Sequence, residues 1–321
     1  MAFIFPFFTA FLITYLLVPI TRKIAFRYEV IDKPNHRKVH VDPIPLLGGL
    51  AIFIGFGVTV LLFVPPSMKL FIMFLAGSVV LLIGMVDDWS KAHGKDFPAL
   101  PKLLVQIMAA SILIYGGIQI TGIRGFVFAE QTAWYLPHGI GILITIIWIV
   151  GIMNMLNFLD GLDGLATGIA AISAMTLFFI ALIQGQEAIA ILCISLLGTT
   201  LGFLKYNFHP AKIFMGDAGA LFLGCILAAI AIEGAFKGAT LFTLIVPLLI
   251  FGVPIFDTVY VMFRRWRENR PIHVADKGHV HHRLMKLGLN QVQAVTFIYI
   301  LGICFSLLSV VIILLFLMYS T

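Results

Sequence analysis

Charged side chains are scarce in this chain of 321 residues. Asp, Glu, Lys and Arg make up only 11% of it, whereas 61% of the residues are hydrophobic. Soluble domains carry about 25% charged residues, so the composition excludes an ordinary soluble protein. The apolar runs are too long for the strands of a membrane β-barrel and suit transmembrane helices. We therefore expect an all-α integral membrane protein.

Cysteine is scarce as well, and soluble segments are absent. The three cysteines, Cys193, Cys225 and Cys304, lie inside apolar runs, which argues against a disulfide framework or a cysteine metal site. The sequence contains no linker, low-complexity tract or convincing repeat, so residues 1–321 are expected to form a single transmembrane domain. The first apolar run lacks the basic start and the cleavage site of a signal peptide and is predicted to be a retained helix.

Ten apolar segments predict about ten transmembrane helices. They lie at residues 3–20, 48–64, 69–86, 102–120, 138–156, 164–183, 187–204, 218–236, 239–263 and 293–318. The loops that alternation places on one side contain, with Lys102 at a span edge, 18 of the 21 Lys and Arg residues. By the positive-inside rule this side is cytoplasmic and both termini lie outside. The longest outside loop is predicted to form a small hairpin or an interfacial segment.

The net charge of +6 has the same explanation. In a membrane protein it reflects the cytoplasmic bias of Lys and Arg and an attraction to anionic lipid. We therefore expect membrane lipid, and no nucleic acid, as a partner.

Polar residues that can carry chemistry concentrate on the predicted cytoplasmic side. The segment NMLNFLDGLDGLATG, residues 154–168, places two amides, two carboxylates and several glycines at the mouth of an apolar run. Acids beside membrane spans are functional by default, and amide and carboxylate oxygens suit magnesium. Glycines at a helix start allow a close approach to phosphate. For Asp163 the alternative is a cap on the next span.

Further acids flank two other spans on this side. Asp87 and Asp88 end the third span, where the helix dipole is also negative. A metal, a proton, or the nearby Lys91 and Lys95 must compensate them; such a pair can also supply a general base. A solvated helix end is the alternative. Asp217 starts the eighth span, where it can either bind a metal or cap the helix.

The other candidate residues suit a base or an anion. Asn207 and Phe214 can hydrogen-bond to and stack on a flat base, with ordinary loop packing as the alternative. The last cytoplasmic loop is rich in Arg, Lys and His, and we expect it to bind anions rather than zinc, because no cysteine lies near its HVHHRL segment. Asp257, about two turns inside the ninth span, is expected to pair with a basic residue.

Five segments follow one another in an order that matches a known family. They are RKVH…PIPLLGGLA, GMVDD, NMLNFLDGLDGLA, FMGDAGA and PIFDTVYVMFRR…ADKGHVHHRL. With these segments the whole chain resembles the polyprenyl-phosphate N-acetylhexosamine-1-phosphate transferases. It is most similar to the bacterial branch that initiates teichoic acid, common-antigen and related glycans on undecaprenyl phosphate.

The resemblance implies an activity, a cofactor and a location. Members transfer a sugar 1-phosphate from a UDP-N-acetylhexosamine to a polyprenyl phosphate and release UMP, with Mg²⁺ as the cofactor. Mn²⁺ is an expected substitute, GlcNAc is the expected sugar, and undecaprenyl phosphate is the expected acceptor. The enzyme would be a multi-pass protein of the plasma membrane with its active site on the cytoplasmic face, and a homodimer is left open.

The resemblance also assigns roles to residues. It implies that Asp87 and Asp88 are the catalytic acids and that Asn157 and Asp217 bind Mg²⁺. It places Asp160 and Asp163 at the nucleotide. It also places Asn207 and Phe214 at the uracil, Lys91, Lys95 and Lys102 near the phosphates, and the HVHHRL segment, with His279, His281, His282 and Arg283, over the sugar and pyrophosphate. The basic residues of the first and last cytoplasmic loops, Lys38, His40, Arg264 and Arg265, are candidates to neutralise phosphate by their charge alone. For the first loop the alternative is positive charge that only sets the topology.

Three other functions remain as alternatives. A transporter of an anionic metabolite would place polar residues at mid-membrane rather than at one face. A scaffold that binds a lipid phosphate would need no catalytic acid. A phospho-MurNAc-pentapeptide transferase would carry a different last loop, and ADKGHVHHRL argues against that substrate. For the transferase we favour direct attack by the lipid phosphate over a covalent intermediate on Asp87.

Overall fold

The computed structural model describes residues 2–32, 43–95, 97–124, 133–234, 241–268 and 278–320. Helices account for 80% of the described residues. In these residues the helices are α1 (Ile4–Arg27), α2 (Gly48–Phe63), α3 (Met68–Ala92), α4 (Ala99–Tyr115), α5 (His138–Leu159), α6 (Leu165–Ile183), α7 (Glu187–Asn207), α8 (Gly216–Gly234), α9 (Leu241–Ile250), α10 (Gly252–Arg267), α11 (Val280–Lys286) and α12 (Gln291–Ser320).

The strands are short and form two antiparallel pairs. Strand β1 (Ile31–Asp32) pairs with β2 (Ile44–Pro45) beside the end of α1. Strand β3 (Gly122–Arg124) pairs with β4 (Ala133–Tyr135), with Ile123 opposite Trp134. The second pair lies in the longest predicted outside loop and has the antiparallel pairing of the expected small hairpin.

Seven of the described helices are long and apolar enough to cross a membrane, namely α1, α3, α5, α6, α7, α8 and α12. Two shorter apolar helices, α2 and α4, coincide with the predicted spans at 48–64 and 102–120. The prediction of an all-α, multi-pass membrane protein is therefore confirmed. The count of ten spans and the orientation of the termini stay predictions.

The predicted ninth span, 239–263, is divided into two helices. Helix α9 ends at Ile250, and α10 begins at Gly252 after a turn at Phe251. The cause is Pro254, which has no amide hydrogen to donate to the carbonyl of Ile250 and whose ring would collide with that carbonyl. A proline is tolerated in the first turn of a helix, so α10 can begin just before it.

Helix α8 forms the centre of the described bundle. Every residue from Gly216 to Gly234 is buried, as expected for a helix that is apolar all round. Helices α2, α3, α5, α6 and α7 all contact it. The N-terminus of α8 is consequently held among the ends of its neighbours, and Asp217 is presented at that end.

Glycines allow the neighbouring helices to approach α8 closely. A Cβ atom added at Gly84 of α3 would lie 2.5 Å from the amide nitrogen of Ala218, and one at Gly224 of α8 would lie 2.6 Å from Cα of Met153. At the start of α2, a Cβ atom on Gly49 would lie 2.8 Å from Cα of Gly219. Small residues at helix interfaces are the usual way in which membrane helices reach such short distances.

We predict that Gly84→Ala lowers the stability of the protein. The added methyl group would meet backbone atoms of α8, which cannot move aside as a flexible side chain would, and overpacking of this kind costs about 1–3 kcal/mol. Gly151→Ala in α5 is the matched control, because only Met155 Cε, at 3.9 Å, lies near its added methyl. Thermal unfolding in detergent micelles should show a lower midpoint for Gly84→Ala alone; equal midpoints would contradict the packing argument.

Candidate active site

The carboxylate of Asp88 caps the N-terminus of α8. Its Oδ1 accepts a hydrogen bond from the amide of Asp217 at 2.8 Å, and its Oδ2 accepts one from the amide of Ala218 at 3.1 Å. Gly216 has φ +67, and a Cβ atom there would collide with the Asp88 carboxylate. A glycine is thus required for the turn. The cap of α8 is therefore supplied by α3, and Asp217 itself remains available to the site.

The two acids predicted to act together in catalysis are separated by this arrangement. Asp88 is 1% exposed and both of its oxygens are held by backbone amides. Asp87, on the adjacent position of α3, instead contacts lysine side chains. The geometry gives Asp88 a positioning role and leaves Asp87 as the acid that can act on a substrate.

Two carboxylates and two ammonium groups form a compact cluster, which we call the charge cluster: Asp87, Lys91, Lys102 and Asp217. Lys91 Nζ donates to Asp217 Oδ1 at 2.7 Å and lies 3.3 Å from Asp87 Oδ2. Lys102 Nζ donates to Asp87 Oδ2 at 2.9 Å and also to Asp217 Oδ2. Lys91 and Lys102 are therefore in the predicted site, and each lysine bridges both acids.

Lys95 lies outside this cluster. It is exposed after the end of α3, and the structure shows no contact between its side chain and the acids of the site. The helix ends at Ala92, so Lys91 keeps the i+4 spacing from Asp87 on one helical face, whereas Lys95 follows the turn at Gly94. Lys38 and His40 lie outside the described residues.

The end of α5 brings the segment at residues 154–168 to the same end of the bundle as the charge cluster. Asp160 is the C-cap residue of α5. Burial raises its pKa to about 7, and the negative charge of Asp217 adds to the rise while Lys91 opposes it. One turn earlier, Asn157 carries a half-buried side-chain amide that makes no hydrogen bond to a described residue.

Asn154 has a structural partner. Its Nδ2 donates to Gln106 Oε1 at 2.6 Å and to the carbonyl of Val150 at 2.8 Å. Gln106 is 1% exposed on α4, one turn after Lys102. This amide pair fixes α4, and with it Lys102, against α5. The sequence analysis missed Gln106, although a lone polar residue four positions from a site lysine on an apolar helix is a usable signal.

Asp163 and Asn207 hold the loop that leads into α8. Asp163 Oδ2 accepts a hydrogen bond from the amide of Ala211 at 3.0 Å and lies 2.8 Å from His209 Nδ1. Asn207 Nδ2 donates to the carbonyl of Ile213 at 3.0 Å, and its Oδ1 accepts from Thr167. Asp163 is not the cap of α6, because Gly164 occupies that position without a side-chain hydrogen bond. Both residues position the loop, and Asn207 is only 1% exposed.

Backbone contacts then fix the last part of this loop to the start of α2. The amide of Phe214 donates to the carbonyl of Pro45 at 2.8 Å, and the amide of Gly48 donates to the carbonyl of Phe214 at 3.0 Å. The Phe214 ring packs against a small apolar cluster that includes Leu46 and Ala92. Its predicted contact with a base stays a prediction.

The histidine loop is anchored by Asp257. Oδ2 of Asp257 lies 2.8 Å from His279 Nδ1, and its Oδ1 accepts from the amide of Val280 at 2.7 Å. The expected basic partner of Asp257 is thus His279. This contact joins α10, which carries Asp257, to the start of α11, where His279 is the N-cap residue. With Nδ1 held by a carboxylate, the imidazole presents Nε2 as its other nitrogen.

His281 differs from its neighbours in being fully buried. A Cβ atom on Gly161 would lie 2.7 Å from His281 Nε2, so this ring covers the turn after Asp160. Burial, reinforced by the neighbouring histidines, lowers the pKa of His281 to about 3. The lowered pKa favours the neutral imidazole, and the role predicted for His281 at the substrates stays a prediction.

The cationic residues of this loop surround the histidines. The Arg283 guanidinium lies 4.5 Å from the centre of the Tyr260 ring, and Arg265 is buried on α10. A Cβ atom on Gly278 would collide with the Arg264 guanidinium, so the loop passes directly over that group. His282 packs against His281 at a ring distance of 4.3 Å. The predicted roles of Arg264, Arg265, His282 and Arg283 at the substrates stay predictions.

Tyr299 connects the last helix to this region and was missed by the sequence analysis. Its hydroxyl donates to the carbonyl of Gly164 at 2.5 Å, and a side chain on Gly168 would collide with its ring. Tyr299 lies within an apolar span, where nothing in the sequence distinguishes it from a membrane-facing aromatic residue.

The donor atoms at this end fit magnesium better than a softer metal. Among the described residues, no group of three or more His, Cys, Asp or Glu side chains is arranged to hold a metal ion. Mg²⁺ does not require such a cage, because it is bound through one or two carboxylates together with water and substrate phosphates. Asp217 supplies a carboxylate and Asn157 an unpaired amide oxygen, and Asp87, Asp88, Asp160 and Asp217 outnumber the two lysines of the charge cluster.

The chain is similar in sequence to known proteins over most of its length. Residues 70–235 match the family described as glycosyl transferase family 4. A Bacillus subtilis (strain 168) protein named probable undecaprenyl-phosphate N-acetylglucosaminyl 1-phosphate transferase is 38% identical over 313 residues, which cover 97% of this chain and 84% of the relative. Decaprenyl-phosphate N-acetylglucosaminephosphotransferase of Mycolicibacterium smegmatis is 36% identical over 328 residues, covering 91% and 77%. Undecaprenyl-phosphate alpha-N-acetylglucosaminyl 1-phosphate transferase of Escherichia coli O157:H7 is 27% identical over 293 residues, covering 88% and 77%.

We predict that Asp88→Asn and Asp87→Asn have different effects on the fold. Asp88→Asn places an amide where two backbone donors need acceptors, and an unsatisfied buried group of this kind costs about 1–3 kcal/mol. Asp87→Asn leaves both lysines paired with Asp217. Hydrogen exchange of the amides of residues 217–218 should accelerate in Asp88→Asn only; equal protection in both variants would contradict the capping role.

We predict that Asp257 and His279 act as one unit. Asp257→Asn and His279→Gln should each lower transferase turnover by about 10- to 100-fold, as for other partners that orient a functional histidine. The double variant should be no worse than the weaker single variant. Glu187→Gln, which changes an exposed acid in the first turn of α7, serves as the control. Additive losses in the double variant would show that the two residues act separately.

Proposed function

The chain belongs to glycosyl transferase family 4 and transfers N-acetylglucosamine 1-phosphate to a polyprenyl phosphate, and we propose that UDP-GlcNAc is its donor, undecaprenyl phosphate its acceptor and Mg²⁺ its cofactor. The reaction breaks the bond between the phosphorus of the sugar phosphate and the oxygen that bridges the two phosphates of the donor. UMP leaves with the bridging oxygen. The new bond joins an oxygen of the lipid phosphate to the phosphorus of the sugar phosphate. The product is a polyprenyl diphospho-sugar.

The observation that carries the proposal is the charge cluster at the N-terminus of the buried helix α8. Donor and acceptor are both anionic and repel each other, so a site for this reaction must supply positive charge. Lys91 and Lys102 can each exchange a contact with a carboxylate for a contact with a phosphate oxygen. The contact with phosphate becomes stronger as negative charge concentrates on the phosphate during transfer. The acids keep the two ammonium groups in place before the substrates bind.

Asp217 and Asn157 are the residues that would hold Mg²⁺. Bound there, the ion would neutralise and orient the pyrophosphate of the donor. Asp217 is aimed by the Asp88 cap, and Asn157 by its place on the last turn of α5. Support for the metal comes from the oxygen donor set, because Asp217 and Asn157 present the carboxylate and amide oxygens that suit Mg²⁺.

The acceptor needs little activation. The second pKa of a phosphate monoester is about 6, so most of the lipid phosphate is already a dianion at neutral pH. Asp87 can remove the remaining proton when the monoanion binds, and it orients Lys102 in either case. We therefore propose direct attack by the lipid phosphate, with Asp87 as base and as an anchor for lysine.

The distribution of polar residues favours an enzyme over a transporter. Asp217 lies at one end of α8 and Glu233 at the other, where it pairs with Lys69 at 2.8 Å. Between these two acids every residue of α8 is apolar or glycine and buried. A path for an anionic metabolite would need polar groups along the middle of the spans, and the described part of α8 offers none.

The downstream role follows from the branch that the chain resembles. We propose that the lipid-linked GlcNAc starts a cell-envelope glycan such as teichoic acid. UDP-linked GlcNAc is preferred to other N-acetylhexosamines because the similar proteins named above are N-acetylglucosamine phosphate transferases. A screen of UDP-linked sugars with the purified protein would test this preference directly.

We predict that the purified protein releases UMP from UDP-GlcNAc when undecaprenyl phosphate and Mg²⁺ are both present. Asp217→Asn should lower turnover at least about 100-fold, because it weakens both the metal site and the lysine contacts. Glu187→Gln is the matched control, since Glu187 is also an acid in the first turn of a span helix. Release of UMP without the acceptor lipid, or near-normal turnover in Asp217→Asn, would refute the proposed site.

We predict that no phosphorylated enzyme accumulates on Asp87. Incubation with donor labelled at the β-phosphate, without acceptor and with acid quenching, should leave the peptide containing Asp87 unlabelled because attack comes from the lipid. Asp87→Asn should retain a small residual activity that rises as pH rises, since a fully ionised acceptor no longer needs the base. A labelled Asp87 peptide that is consumed on addition of acceptor would establish the covalent route instead.

A further inference from the structure

A groove of about 640 Å³ lies between α1 and α7, at the end of the bundle that carries the charge cluster. It begins where the two helices are in close contact, since a Cβ atom on Gly202 would lie 2.6 Å from the carbonyl oxygen of Phe11. Beyond that contact, the groove extends along the last turn of α7 to the loop that leads into α8. None of the four residues of the charge cluster lines it.

The lining of the groove changes from apolar to basic along its length. Phe11, Leu201 and Leu204 belong to spans and form the apolar part. Lys205, His209 and Lys212 supply the basic groups of the other part, at the end of α7 and in the following loop, where Phe208 and Pro210 also line the groove. A molecule that matched this lining would be apolar along one part and anionic at its end.

The two lysines provide positive charge that the described residues do not neutralise. Lys205 and Lys212 are exposed and make no ion pair with a described residue. His209 is different, because its Nδ1 lies 2.8 Å from the carboxylate of Asp163. The groove therefore presents an excess of two positive charges from lysine beside an apolar surface.

Lys205 lies in the last turn of α7, and His209 and Lys212 lie in the following loop, whose backbone is held by hydrogen bonds. The amide of Lys212 donates to the carbonyl of Tyr206 at 2.8 Å, and the amide of Ala211 donates to Asp163 at 3.0 Å. Asn207 holds the next residue, Ile213, at 3.0 Å. The lysine side chains thus start from fixed positions beside the ends of two spans, where the headgroups of a bilayer lie.

We propose that this groove binds an anionic phospholipid, with its phosphate against Lys205 and Lys212 and an acyl chain along Phe11, Leu201 and Leu204. Charge complementarity favours an anionic over a zwitterionic headgroup, because a choline or ethanolamine cation would offset the attraction of the phosphate. The acceptor of the transferase reaction is not the expected occupant, since its phosphate must reach Lys91, Lys102 and Asp217. The groove is a second lipid site, separated from the reaction centre by the loop 208–216.

The test is photo-crosslinking of the full-length protein in neutral detergent. The probes are phosphatidylglycerol and phosphatidylcholine that carry the same photoreactive acyl chain, and crosslinked peptides are mapped by mass spectrometry. We expect phosphatidylglycerol to label peptides containing Phe11 or Leu201 at least about five times more than phosphatidylcholine does. Lys205→Gln combined with Lys212→Gln should remove that preference. Lys23→Gln combined with Lys286→Gln, which removes the same charge from exposed positions outside the groove, should preserve it.

Four outcomes would overturn the proposal. Equal labelling of the unchanged protein by the two lipids, or a preference for phosphatidylglycerol that persists in the Lys205/Lys212 double variant, would show that the lysines do not select the headgroup. Displacement of the probe by equimolar undecaprenyl phosphate but not by unlabelled phosphatidylglycerol would identify the groove as an acceptor site. Displacement by inorganic phosphate at millimolar concentration would identify a simple anion site.

Discussion

The hydrogen bonds between the Asp88 carboxylate and the first amides of α8 are the interaction on which the rest of the site depends. Helix α8 is buried over its whole length, so the free amides of its first turn need acceptors from the protein. Asp88 satisfies two of them from α3, and Gly84 lets the two helices come close enough for it to do so. The same contact sets the position of Asp217 relative to Asp87 and therefore the geometry of the charge cluster.

A second constraint is the balance of charge around Asp217. Two lysines bridge it to Asp87, and each lysine comes from a different helix end. The Gln106–Asn154 pair fixes the helix that carries Lys102, and the i+4 spacing from Asp87 fixes Lys91. The site thus holds cationic groups ready for phosphate while its acids remain in surplus, which is the arrangement expected where anionic substrates and a divalent cation meet.

Several predicted site residues support the site instead of facing the substrates. Asp88 caps α8, Asp163 and Asn207 hold the loop before α8, and neutral His281 covers the turn at Gly161. In each case the side chain makes its contacts with neighbouring backbone, and its predicted contact with a substrate stays a prediction. A motif shows which residue types occur together, and it does not show which of them point into the cavity.

The sequence by itself determined the membrane class, the apolar character of the helices and the residue types available for chemistry. Composition and apolar periodicity are local properties, and a chain of this hydrophobicity can satisfy its backbone in a bilayer only as helices. Only the tertiary structure decided which residues pair: Asp257 with His279, Asn154 with Gln106, and the two lysines with Asp87 and Asp217. The most distant of these partners, Lys91 and Asp217, are 126 positions apart in the sequence. Helix packing around α8 brings such partners within hydrogen-bonding distance, which sequence spacing does not reveal.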